Sequence, residues 1–259
     1  MFYKLKPFAD SVFNIAYKRP ESVPVRIDVS DKVITITGYV EFDPKLLVPF
    51  KKSEKINDAL LSSKPEGYTY ADAAIEGICE NWGKSYLFEG ATEPVKVNVN
   101  LIRKDDPDAV IPEGQRFFKV RHTNISGTSF VTSPIWRMGW GFFLTGCPEA
   151  AMINWSPRHP GTINMNDYGR LSSFKQVVAH EFGHVLGLGD AYDAHYRFYY
   201  EAPGTDSYIM NNNSSVNARE VEMALRAHET GKMQYFPYKI SLRKYFGRLF
   251  SKFTRRIIK

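Results

Sequence analysis

Residues 180–190 constrain this chain more than any other stretch of its 259 residues. They read His180-Glu181-Phe182-Gly183-His184, then Gly187, Gly189 and Asp190. The segment 171–186 is helical by pattern. Phe174, Val177, Val178, Phe182 and Val185 form an apolar stripe, with Ser172 or Ser173 available as N-cap. Side chains four apart share a helix face, so His180 and His184 can reach one point in space. Glu181 is one step round the helix from that point. Gly187 can take the left-handed conformation that ends a helix, and Gly189 adds further freedom. The chain can therefore turn back and bring Asp190 to the two imidazoles.

Two neutral imidazoles and one carboxylate are three ligands for a zinc ion, with a fourth position left for water, as in catalytic zinc sites. Glu181 then stands where a general base must stand, able to take a proton from that water and pass it to a leaving amine. The pair of histidines with its glutamate recurs by chance in many chains. The added Gly187 and Asp190 make the pattern far more specific. A buried helix that merely satisfies two histidines and a glutamate would be costly without a partner for them. Rivals for the third ligand are Asp193 and His195 in the same loop, and Glu220 or Glu222 from a later helix. Asp190 is preferred because Gly187 is spaced to fold it back.

Around this segment the chain alternates strands and helices. Val25–Ser30 and 32–42 alternate apolar and polar residues, which predicts an early hairpin. Residues 70–86 form a helix candidate, with Ala74, Ile75, Ile78, Trp82 and Leu87 near helical spacing. Residues 95–102 are an alternating strand, 117–121 another, and 151–155 and Thr162–Met165 the strongest strand candidates beyond them. The order of strands, helix, strands and helices predicts an α+β or mixed α/β layer. With 43% hydrophobic residues the chain can bury a sizeable core.

The spacing His180-Glu181-x-x-His184-x-x-Gly187-x-x-Asp190 resembles the extended zinc-binding motif of the metzincin metallopeptidases. It is similar to the variant in which aspartate replaces the third histidine, as in snapalysin-type bacterial proteases. Metzincins also carry a tight turn with a methionine beneath the zinc, and 207–211, centred on Met210, is similar in position and character. The resemblance implies an α+β, metzincin-like fold: a twisted mixed sheet with a backing helix, an active-site helix at the base of a cleft, and a smaller C-terminal lobe. A metallopeptidase domain over 1–238 would have its upper lobe over about 25–187 and its lower lobe over about 188–238. The resemblance further implies a zinc endopeptidase with His180, His184 and Asp190 as ligands and Glu181 as general base. Its protein or peptide substrate would lie as an extended strand against a sheet edge somewhere in 135–155, where Trp136, Trp140 and Trp155 could shape the cleft. Asn212 stands two residues after Met210, where some relatives place a tyrosine zinc ligand, so that ligand is not expected here; a tyrosine that stabilises the oxyanion could still be Tyr192 or Tyr208.

The net charge of +6 is concentrated at one end. Residues 239–259 hold eight Lys or Arg and no acid, which leaves −2 for the rest. That distribution argues against a nucleic-acid-binding body. The tail's Leu242, Tyr245, Phe246, Leu249, Phe250, Phe253 and Ile257 fall near helical spacing, so it suits an anionic membrane surface or a partner groove, or packs on the body with its basic face solvated. The N-terminal segment shows neither an uninterrupted apolar run nor a small-residue cleavage site. This predicts a cytoplasmic protein, export by another route, or a numbering that omits a leader. Cys79 and Cys147 lack metal-ligand spacing and could form one disulfide at most. His122, His159 and His228 have no partner spacing and are expected to be structural or exposed. Besides a broad peptidase, two further readings stand: a non-hydrolytic binding protein with a structural zinc, and an effector peptidase that cuts one target.

Overall fold

The computed structural model describes residues 22–30, 33–51, 59–124, 129–134, 137–138, 140, 153–193, 200–237, 242–243 and 246–247. Trp136, Cys147, His195 and most of the basic tail lie outside them, so the expectations placed on those residues find no structural counterpart. Among the described residues, seven strands form one mixed sheet: β1 (Val25–Ser30), β2 (Val33–Phe42), β3 (Ser85–Tyr86), β4 (Val95–Arg103), β5 (Phe118–His122), β6 (Phe130–Thr132) and β7 (Thr162–Met165). The order across the sheet is β3-β4-β2-β5-β7-β6.

The early hairpin forms, with Val25 paired to Gly38 and Ser30 to Val33. β2 is the hub. One flank runs parallel to β4, and the other is shared between antiparallel β1 and parallel β5. β7 runs parallel to β5, and β6 closes the edge antiparallel to β7. β2 alternates strictly, burying Ile34, Ile36, Gly38, Val40 and Phe42, because that face is covered by helices.

Helix α1 (Tyr70–Trp82) opens on a capping box, in which Thr69 and Asp72 satisfy each other's backbone amides. It ends at Trp82, with Gly83 as C-cap, earlier than the expected run to 86. The chain leaves there to pair β3 with β4, so Leu87 is 63% exposed and takes no part in the helix's apolar stripe. Helix α2 (Leu171–Val185) carries the histidines. Its N-cap is Arg170, which makes no side-chain cap, rather than Ser172 or Ser173. Leu171 is fully buried, so packing rather than a hydroxyl sets the helix start. Two further helices follow, the single turn α3 (Ile209–Asn212) and α4 (Ala218–Thr230).

α1 and α2 lie against each other on one face of the sheet. A Cβ at Gly77 would fall 2.7 Å from the backbone of Lys175, so the helices touch where α1 has no side chain. Trp82 Nε1 donates to Ala179 O across the same contact at 2.9 Å. Of the strand expectations, Thr162–Met165 forms as read, whereas the described part of 151–155 is not strand. Among the described residues the sheet ends at β3 on one side and at β6 on the other, both antiparallel to their neighbours. Most of the window 135–155 expected to hold the substrate-binding edge lies outside the described residues.

Candidate metal centre

α2 brings His180 and His184 one turn apart, with their rings 5.2 Å between centres and nearly perpendicular. The helix ends at Leu186, and Gly187 turns the chain with φ +93°. A side chain there would be strained and would also strike Ala227 and Trp155. The return is pinned to the chain near residue 234, since Gln234 N donates to Gly187 O and Gly189 N donates to Gln234 O, both at 2.8 Å. Asp190 is thereby delivered to the histidines. Its Oδ1 lies 3.1 Å from His180 Nε2 and 3.2 Å from His184 Nε2.

All three side chains are buried, and one ligand atom from each lies within 4.8 Å of the others. Among the described residues only these three converge in this way. Of the rivals, Asp193 and Glu222 stand outside the cluster. Glu220 is buried elsewhere, accepting the Met210 amide at 2.9 Å and the Asn217 amide at 2.8 Å. Burial pushes its carboxyl up to about 7, against the pull of those amides.

The donor set fits a zinc ion. His180 Nδ1 donates to Ile209 O at 2.7 Å, and His184 Nδ1 donates to Leu188 O at 2.8 Å. A carbonyl oxygen only accepts, so each Nδ1 carries the proton, and each neutral ring offers its Nε2 lone pair to the cluster. Two nitrogen lone pairs and a carboxylate oxygen then face one another in a dry pocket, which calls for a cation. The three groups also act strongly on one another. Burial alone would raise Asp190, but the His184 and His180 imidazoles hold it far below the usual carboxylate range. Burial would lower His180, yet Asp190 outweighs it and the ring is raised.

Glu181 is buried and pushed upward by that burial, and its Oε2 has no hydrogen-bond partner among the described residues. An unpaired buried carboxylate oxygen is costly and persists where it has a task. Beneath the ligand-bearing turn, Met210 is fully buried, and a Cβ at Gly183 would fall 2.3 Å from its Sδ. Gly183 therefore stands between the two histidines so that Met210 can approach the helix. Tyr192 lies beside His180, 6.2 Å between ring centres, whereas Tyr208 is buried against Phe236.

Residues 100–234 match the family model of the immune inhibitor A peptidase M6 catalytic domain. The chain belongs to that family. The match runs from within β4 to Gln234 and so takes in His180, Glu181, His184, Asp190 and Met210. Neither a curated protein nor a solved structure matches the chain. A peptidase M6 chain is a zinc metallopeptidase, and here the buried His180, His184 and Asp190 group could hold the zinc. Two aromatic residues of this M6 domain serve as packing under α2. Trp155 is buried under the end of α2, where its Nε1 donates to Val185 O at 2.9 Å. His228 packs against the Trp155 ring. Trp140 is 65% exposed.

Proposed function

We propose that this chain is a zinc endopeptidase of metzincin build, with His180, His184 and Asp190 as ligands and Glu181 as general base. The observation that carries the reading is the convergence of two histidine Nε2 atoms on Asp190 beside the buried carboxylate of Glu181, whose Oε2 has no hydrogen-bond partner among the described residues. The fold supports it too. A mixed sheet with α1 and α2 packed together against it and a methionine turn under α2 match parts that the metzincin resemblance implies. On this reading the upper lobe ends with α2, and the lower lobe runs from about residue 188 to 238.

A zinc ion held there would supply Lewis acidity, polarising a carbonyl and bringing the pKa of water toward about 7. Glu181 takes the proton of the attacking water and returns it to the departing amine; its burial suits it, because a raised carboxylate pKa moves toward the working pH. Tyr192 is the tyrosine suited to donate a hydrogen bond to the oxyanion that forms. The substrate chain pairs as an extended strand with the edge that β6 forms among the described residues, whose backbone amides and carbonyls give affinity without regard to sequence.

Zinc content and peptide-library cleavage of three proteins test this. The wild type should hold stoichiometric zinc and lose activity to a chelator. Glu181→Gln should keep its zinc while hydrolysis falls by about 100- to 10,000-fold. Asp190→Ala should lose the zinc. A Glu181→Gln protein with full activity would defeat the mechanism.

A further inference from the structure

The residue that holds the metal site's scaffold in place lies outside the site. Glu220 sits in the first turn of α4 and is 0% exposed. A carboxylate buried so completely must be repaid by hydrogen bonds. One oxygen is enough for the capping box of α4: Oε2 accepts the Asn217 amide at 2.8 Å. The other oxygen does something unrelated to α4, accepting the Met210 amide at 2.9 Å. The Ile209 amide lies near enough to the same carboxylate to pull its pKa down.

The recipient has no cap of its own. α3 begins at Ile209 after Tyr208, which makes no side-chain cap, so its first amides would be orphans at a buried helix start. Glu220 caps α3 from a different helix. The two carbonyls of that same turn face the metal site. Ile209 O accepts His180 Nδ1–H at 2.7 Å, and Met210 O accepts the Ala191 amide at 2.8 Å, one residue beyond Asp190. His184 is held independently, by Leu188 O. A single turn thus orients two of the three converging side chains, and Glu220 ties that turn to α4.

We propose that Glu220 is a positioning residue for the metal site, setting the placement of His180 and Asp190, and hence zinc affinity, through the Met210 amide and the turn that it anchors. The proposal rests on the reading of His180, His184 and Asp190 as zinc ligands. Hydrogen-bond partners behind metal ligands tune affinity by about 10- to 100-fold when removed. In Glu220→Gln the amide NH2 cannot accept, so one of the backbone amides faces a donor.

The test measures zinc affinity by competition with a chromophoric chelator, and the visible bands of the cobalt-substituted protein as a reporter of ligand geometry. Thermal unfolding with and without metal accompanies both. Glu220→Gln should weaken zinc by about tenfold or more and alter the cobalt bands. Asn217→Ala removes the side-chain cap of α4, whose Oδ1 accepts the Arg219 amide at 3.2 Å, while leaving Glu220 in place. It should lower the melting temperature of the metal-free protein and leave zinc affinity unchanged. Glu220→Asp keeps the charge but is one methylene too short to span both amides. It should weaken zinc as well, and it serves as the reporter if Glu220→Gln does not fold.

Zinc affinity within twofold of wild type in a folded Glu220→Gln or Glu220→Asp protein would overturn the proposal. Equal loss of zinc in Asn217→Ala would overturn it too, because helix stability rather than positioning would then be at work. A wild-type chain that fails to bind zinc at all would instead sink the metal assignment itself, and this proposal with it.

Discussion

His180 and His184 each spend one ring nitrogen on a backbone carbonyl, and this fixes which nitrogen faces Asp190. The spacing of the two histidines is visible in the sequence, but the carbonyls that set their tautomers come from residues 188 and 209. The first lies in the adjacent loop, and the second is brought in by the fold. Gly183 is a similar case. Within the motif it reads as a neutral helix position, yet its missing side chain is what lets Met210 Sδ approach. Gly183→Ala should cost about 1–3 kcal/mol, the usual penalty of overpacking, and weaken zinc retention; urea denaturation and metal analysis would read both. A variant as stable as the wild type would mean that Met210 can move aside freely. Trp155 was legible only as a large aromatic. Its indole bonds a carbonyl at the end of the ligand helix, so Trp155→Phe should lose about 1 kcal/mol in the same assay, with zinc stoichiometry kept.

The contact of α1 with α2 decides how the ligand helix lies on the sheet. Lys175, on α2, is only 4% exposed, and its Nζ reaches Glu76 at 3.1 Å and Glu80 at 2.7 Å on α1. Glu76 also receives Lys64 and Tyr68. Burial alone would raise the Glu76 carboxyl, but these donors outweigh it and hold the group at about 2 against an ordinary 4.5. A carboxyl depressed on folding stabilises the native state above its unfolded pKa. That contribution fades as pH falls from about 4.5 toward 2. Wild-type stability should therefore drop across this window. Glu76→Gln should be destabilised near neutral pH and flatter in acid, so that the two curves converge; parallel curves by denaturant titration at several pH values would count against this pair. The helix itself was readable from Phe174, Val178 and Phe182. Its partner face was not, because a lysine in an apolar stripe gives no sign of which acids will meet it.

For the molecule as a whole, zinc should act as a stabiliser, since the proposed ligands come from α2 and the loop after it, and α3 holds that loop and His180 through its carbonyls. A ligand that binds only the native state adds about 4 kcal/mol at a thousand times its Kd. Chelation should accordingly lower the melting temperature, and zinc should restore it; no shift in calorimetry would mean that this group does not hold the ion. The sequence alone determined the ligand helix, the glycine that ends it, the paired histidines with Glu181, the hairpin of β1 and β2 and the strand β7. Each is written in spacing or alternation over a few neighbouring residues, where helix and strand geometry act directly. Tertiary structure decided the rest: which distant amides Glu220 meets, that β6 lies at an edge of the described sheet, and that Trp155 braces α2 from below. Those outcomes depend on which distant segments compete for one buried space and one set of unpaired amides. Local pattern carries no record of that competition.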